Sequence, residues 1–204
     1  MITIKDIYGY ILYEYRGANL YRANLSGANL YRANLSGENL YKANLSGANL
    51  YRANLSGSDL SFANLSGANL RYSDLSGANL IGTDLSGANL SVTDLSGANL
   101  SDTNLYGVNL RDTNLYGVNL SGAINYYSFI AYDTSRRLVH CFRHKDTFMC
   151  SVGCFYGTLD ELENKVINSH RSKVYLENKV INSHRSKVYL ANIEIMRRIL
   201  KDNK

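Results

Sequence analysis

The chain has no proline and no tryptophan, only three cysteines in 204 residues, and charged side chains at 19%. Apolar residues make up 45%, so neither a disordered chain nor a collagen-like fibre is indicated, and the length suits one sizeable domain or two small ones. No stretch approaches the roughly 18 apolar residues of a membrane span. The opening Met1-Ile2-Thr3-Ile4-Lys5-Asp6 lacks the charged start, apolar run and cleavage site of a secretory leader. Cys141, Cys150 and Cys154 are an odd number confined to a short segment. They make a poor disulfide framework and fit a reducing compartment. The expectation is a cytoplasmic protein.

Catalytic signatures are lacking too. There is no nucleophile elbow, phosphate loop or carboxylate pair, and His170 and His184 are copies of one residue in a duplicated segment. A non-enzymatic protein without cofactor or small-molecule substrate is expected. His140, Cys141, His144, Cys150 and Cys154 lie close together, and Cys141, His144, Cys150 and Cys154 could in principle supply four zinc ligands. Their spacing is not that of a standard finger or ribbon, and free cysteine is often only a small core residue. No metal is expected.

The formal net charge of +5 is unevenly spread. Residues 1–125 carry 8 Lys/Arg against 9 Asp/Glu, and residues 126–204 carry 14 against 8. Within the first part, 17–56 has four cations and one anion, whereas 57–120 has two cations and six anions. Such a segment is electrically polar along its length.

What is present in abundance is a repeat. Leu recurs at every fifth position from Leu20 to Leu120, 21 times, always preceded by Asn or Asp. Two places before each Leu stands Ala in twelve cases, and otherwise Ser, Thr, Val or the single Glu38. A period of five fits neither a helix nor a flat strand, since it would scatter Leu round the one and alternate it across the other. One side chain in five stays inward only if the chain turns a corner once per unit. The pair after each Leu alternates between Tyr-Arg or Tyr-Lys and Ser-Gly through the first eight units. A fifteen-residue coil would stack unlike pairs, whereas a four-sided coil of twenty stacks like on like, Tyr21 under Tyr41 and Tyr31 under Tyr51.

The units Gly-Ala-Asn-Leu-Ser and Tyr-Arg-Ala-Asn-Leu make the chain resemble the pentapeptide-repeat proteins over residues 17–123. The resemblance implies a right-handed quadrilateral β-helix. In it, Leu20 to Leu120 and the row Ala18 to Val118 point inward, while the other three positions of each unit face out. Five coils at about 4.8 Å each would make a rod roughly 24 Å long. Stacked Asn can hydrogen-bond up the columns, and Gly after Ser permits unusual corner dihedrals. Glu38 occupies an inward, small position. Either it protrudes or it meets a basic neighbour.

Open solenoid ends expose strand edges and need covers. Residues 1–16 read as an N-terminal β cap, a hairpin over 2–15 with Gly9 at its turn. Residues 124–204 read as an α+β capping domain with strands at Tyr127–Tyr132, Leu138–Phe142 and Thr147–Val152. A helix follows, started by a capping box of Thr158 and Glu161, and a last helix spans about Val188–Lys201. The stretch 162–175 recurs unchanged at 176–189. The run Cys154-Phe155-Tyr156-Gly157-Thr158-Leu159-Asp160-Glu161-Leu162-Glu163 resembles tails found after pentapeptide repeats in phage and mobile-element proteins.

These features point to a scaffold that binds one macromolecular partner. Its candidate contacts are Tyr21, Arg22, Tyr31, Arg32, Tyr41, Lys42, Tyr51 and Arg52, because Tyr and Arg are enriched at interface hot spots and Tyr columns are not needed to close the coil. The same faces suit a homodimer. The family resemblance also implies a DNA-mimicking modulator of a type II topoisomerase such as gyrase. The early coils are basic, however, and Leu stands where members of that kind often carry Phe. Nucleic-acid binding through the basic C-terminal part is a third reading.

Overall fold

The fold is that of a computed structural model of the chain, which describes residues 1–130, 138–144, 147–152, 155–158, 160–161, 194 and 197–198. It forms two compact units, Met1–Asn125 and Tyr126–Lys204.

In the first unit the outward Asn or Asp of each repeat is bridged in parallel to the residue twenty places on, from Asn24–Asn44 through to Asn104–Ile124. One coil is therefore four repeats. Each flat side is an inward small residue, an outward Asn or Asp and an inward Leu, and each corner is the variable pair. Between coils, the Leu25 amide donates to the Asn44 carbonyl at 2.7 Å and the Asn44 amide to the Ala23 carbonyl at 2.8 Å, a pattern that repeats upward. Within a corner, the Ala28 amide donates back to the Leu25 carbonyl at 3.1 Å, closing a turn over Ser26 and Gly27. Gly27 has φ +65°, and a turn with positive φ only at its third residue is of type II, for which Gly is favoured.

Every Leu from Leu20 to Leu110 is buried, each contributing about 1.5–3 kcal/mol. The ladder is shorter than the resemblance implies, because Leu115, Leu120 and Val118 are half-buried and Ala18 is exposed. A terminal coil has another coil on one side only. Where the inward residue carries a hydroxyl, it is satisfied inside: Thr83, Thr93 and Thr103 donate to the carbonyls of Leu60, Leu70 and Leu80 at 2.8, 2.7 and 2.9 Å. Ser58 and Ser73 instead donate three residues back, to Leu55 and Leu70. Glu38 protrudes. It is exposed, while its carbonyl stays in the ladder and accepts from the Asp59 amide at 3.0 Å.

The Asn columns bond as expected, with Asn49 Nδ2 donating to Asn29 Oδ1 at 3.1 Å and Asn119 to Asn99 at 3.0 Å. The same Oδ1 atoms have a second role: Asn54 accepts from the amide of Ser56 at 3.0 Å and Asp94 from that of Ser96 at 2.9 Å. Such Asx turns brace the start of each corner. Hydrogen bonds from Ser96 and Asn114, opposed by partial desolvation, hold the Asp94 carboxyl below its ordinary range.

Two strands cap the first coil: β1 (Ile2–Lys5) and β2 (Ile11–Tyr15) pair antiparallel around a turn with Gly9 at φ +89°. The Asp6 carboxylate accepts from the amides of Tyr8 and Tyr10 at 2.9 and 2.8 Å. Asp6 pairs with Ala33, the Asn34 amide donates to the Lys5 carbonyl at 2.8 Å, and the Ile7 amide to the Arg32 carbonyl at 3.0 Å. Ile4 is buried.

The second unit holds a four-stranded antiparallel meander, β3 (Tyr126–Ile130), β4 (Leu138–His144), β5 (Thr147–Val152) and β6 (Phe155–Thr158). β6 is one strand more than the sequence suggests, because its four residues immediately precede a helix-start signal. That signal is real: the Thr158 amide donates to Glu161 Oε2 at 2.7 Å and the Glu161 amide to Thr158 Oγ1 at 3.2 Å. Asp160 and Glu161 are helical, as are Glu194, Arg197 and Arg198, and Arg197 pairs with Asp160 at 2.7 Å. The duplicated stretches 162–175 and 176–189 lie outside the described residues. Among the described residues, no helix is long and apolar enough to cross a membrane.

The cysteine expectation is corrected here. Cys141 and Cys150 face each other across β4 and β5, with Cα atoms 4.2 Å apart, and are joined as a disulfide. The hairpin register brings together two residues whose linear spacing hides the fact.

Candidate partner-binding site

The eight Tyr and Arg/Lys candidates occupy two of the four corners, ten residues and hence half a coil apart. At these corners the second residue of the pair has a positive φ although it is not Gly: Arg22 +55°, Lys42 +56°, Arg32 +58° and Arg52 +59°. Phe62, Tyr72, Val92, Asp102 and Asp112 continue the rows at +56° to +60°. The other two corners hold Gly at that position in every coil, from Gly27 to Gly107 and from Gly37 to Gly117. A non-Gly residue in this conformation costs roughly 1–2 kcal/mol.

The twenty-residue register stacks the rings. Tyr21 and Tyr41 lie 5.4 Å apart at an interplanar angle of 10°, Tyr31 and Tyr51 5.8 Å apart at 9°. One coil further on, Phe62 meets Tyr41 edge-on at 5.8 Å and Tyr72 meets Tyr51 edge-on at 5.4 Å. Each cation lies over the ring preceding it: Arg22 at 5.5 Å from Tyr21, Arg32 at 5.0 Å from Tyr31, Lys42 at 5.2 Å from Tyr41 and Arg52 at 5.4 Å from Tyr51. This relieves part of the repulsion between stacked cations. Among the described residues none of the four makes an ion pair.

The two rows are not equivalent. The Tyr31 row is extended at its start by Tyr8 of the cap, whose ring lies 5.7 Å from the Arg32 guanidinium, and at its far end by Tyr72 and Arg71. Tyr8 leads into an exposed apolar tip formed by Ile7, Tyr8, Tyr10 and Ile11. Carrying the cation columns, Arg22–Lys42 and Arg32–Arg52, one coil further leads to Phe62 and Tyr72 in the sequence, whereas the Tyr columns lead to Ser61 and Arg71. No periodic signal marks Tyr8.

Among the described residues the suggested zinc ligands are not brought together as a set. Cys141 and Cys150 are bonded to each other, Cys154 lies outside the described residues, and no group of three or more potential ligands occurs among the described residues.

The pentapeptide-repeat family model matches residues 18–57, 58–96 and 93–124. Solved structures similar to the chain include a pentapeptide repeat protein, Rfr23, from the cyanobacterium Cyanothece 51142, 44% identical, covering 41% of this chain and 60% of that one with a TM-score of 0.24. A pentapeptide repeat protein from the Arabidopsis thaliana thylakoid lumen is 32% identical, covering 48% and 65% with a TM-score of 0.30. The plasmid-mediated fluoroquinolone resistance protein QnrB1 is 22% identical, covering 50% and 60% with a TM-score of 0.31. This chain thus spans less than two thirds of each. No curated protein matches it. With more than half its length matched as tandem repeats, and with four repeats to each coil, the chain belongs to the pentapeptide-repeat family, whose members fold as right-handed quadrilateral β-helices.

Proposed function

We propose that the chain is a non-enzymatic scaffold whose side-chain-bearing corners bind a protein partner, with the Tyr31 row as the main contact. The observation that carries this reading is the choice of residue at positive φ. Two corners of each coil use Gly, and in the first three coils the other two hold Arg, Lys and aromatic side chains there. Exposed cation–π contacts, about 0.5–1 kcal/mol each, at best offset the conformational cost, which a Gly corner would not incur at all, so a use beyond closing the coil is called for. The strip from Tyr8 and Arg32 to Tyr72 and Arg71 combines aromatic anchors with cations that have no ion-pair partner among the described residues, the composition of an interface hot spot for an acidic protein surface.

A host protein as that partner, with the chain encoded by a phage or mobile element, is the finer form of the proposal, supported by the tail resemblance at residues 154–163. Topoisomerase modulation by DNA mimicry ranks behind it, since the acidic residues stack directly only at Asp74–Asp94.

Changing Tyr31, Arg32, Tyr51 and Arg52 to Ser-Gly pairs makes this corner like its neighbours. Affinity capture from a lysate should then lose the partners that the parent retains. Equal capture by both proteins would exclude this row, and inhibition of gyrase supercoiling at micromolar concentration would move the second reading ahead.

A further inference from the structure

We infer that the other row, Arg22, Lys42, Phe62, Gly82 and Asp102, is a self-association surface on which two copies pair antiparallel about a two-fold axis. These residues occupy one corner position in five successive coils, and all five have positive φ. Along the rod they read cation, cation, aromatic, glycine, acid. An antiparallel second copy meets that order reversed. Arg22 then faces Asp102 of the second copy, Lys42 faces its Gly82 with Asp84 on the adjoining side, and Phe62 meets Phe62 at the dyad. Both ends of the contact are complementary in charge, and the contact is closed and isologous.

Three observations fit this occupant. Phe62 is 53% exposed, a large apolar ring at the middle of the row. Its ring leans over Gly82, where an added Cβ would sit 2.7 Å from Cε1, so the space over that glycine is filled by the ring and the apolar centre of the row extends toward the place that faces Lys42. Asp102 is exposed and makes no ion pair among the described residues. The opposite row has the same order of charges at its ends, but its acid, Asp112, is already paired with Arg111 at 3.3 Å, and its dyad position would bring Arg71 against its own copy.

Four coil spacings make the row about 19 Å long. Such a contact buries less than a standard interface, so the dimer is weak and salt-sensitive. Sedimentation velocity from about 10 µM to 1 mM should show a monomer–dimer equilibrium at low salt whose Kd rises at least tenfold in 0.5 M NaCl. Asp102→Lys and Arg22→Asp each put like charges at both ends of the contact and should each raise Kd at least tenfold. Mixed in equal amounts, the two variants are complementary throughout and should recover dimers to within about threefold of the parent. Both substitutions use residue types already held at positive φ in this row, and circular dichroism checks that the coils persist. Asp112→Lys, on the opposite row, should leave Kd unchanged. A parent that stays monomeric at 1 mM, a mixture that recovers nothing, or an Asp112→Lys variant as impaired as Asp102→Lys would overturn the inference.

Discussion

Two corners of every coil end in glycine, while the other two end almost everywhere in a side chain, though all four make the same turn. The amide after each corner donates to the Leu before it, and the second corner residue donates to the coil above, whether it is Gly27 to Ser46 or Arg22 to Tyr41, both at 2.9 Å. Geometry therefore does not require Arg, Lys, Phe, Tyr, Val or Asp at these places, and conformational energy disfavours them. Ser-Gly corners show what closing the coil needs. The surplus at the others is where contacts with other molecules should be sought.

The largest expected effect shows what is common to all four sides. Leu70 is fully buried, and Leu70→Asp places an unpaired charge in a stack where each coil leans on the next, so a loss of several kcal/mol and disappearance of the cooperative melt are expected by circular dichroism. An unchanged melting temperature would mean that the inward register is wrong.

A smaller effect separates the glycines by purpose. Gly47, with φ +64°, has nothing within 4 Å of an added Cβ, so Gly47→Ala should cost only the strain of about 1 kcal/mol in denaturant unfolding. Gly82, with φ +63°, also supports the Phe62 ring, so Gly82→Ala should cost up to about 1 kcal/mol more, and Phe62→Ala should remove that excess. Equal costs at the two glycines would show that Phe62 does not depend on Gly82.

How far this was legible in the sequence follows from which contacts are periodic. The Leu ladder, the Asn columns and the Tyr21–Tyr41 and Tyr31–Tyr51 stacks all follow from one number, the twenty-residue coil, which the ten-residue alternation of Tyr-Arg and Ser-Gly implies. The inward Thr83, Thr93 and Thr103 are legible as small residues. Their hydroxyl bonds to the coil below depend on depth, which no pattern encodes. The protrusion of Glu38 is undecidable from spacing alone, since the same backbone can hold the side chain in or out. The positive φ of Arg32 could have been inferred, because Gly37 and Gly47 occupy the equivalent place in neighbouring units. The Cys141–Cys150 pair needs the β4–β5 register, and the contact of Tyr8 with Arg32 needs the cap docked on the coil, and neither is periodic.

Replacing Arg32 and Arg52 by Gly should have a smaller net effect on stability, because two opposed terms nearly cancel. Relief of two strained residues favours the variant by about 1–2 kcal/mol each, and loss of their four contacts with Tyr31, Tyr51, Tyr8 and Tyr72 removes about 0.5–1 kcal/mol per contact. A thermal melt should move by only a few degrees. A large destabilisation would mean that the corner side chains serve the fold itself.

The smallest effect sharpens the glycine side of the comparison through pH. Asp94 braces a Ser-Gly corner by accepting from the Ser96 amide at 2.9 Å, and it also accepts from Asn114 Nδ2 at 2.9 Å. Both are hydrogen bonds to the charged form. With Ser96 as the main cause, they hold the carboxyl below its ordinary value. A group whose folded pKa is depressed stabilises the fold at pH values above its unfolded pKa, and the contribution fades as pH falls through the unfolded and then the folded value. For a carboxylate of unfolded pKa near 4 the loss begins around pH 5 and is complete only well below pH 4. Asn serves the same brace at Asn54 toward Ser56, so Asp94→Asn should change stability little at neutral pH, by less than about 1 kcal/mol. It should also flatten the acid limb of the stability curve relative to the parent. Denaturant unfolding of both proteins from pH 7 to pH 3 measures the difference, and parallel acid limbs would show that the carboxylate charge contributes nothing to that corner.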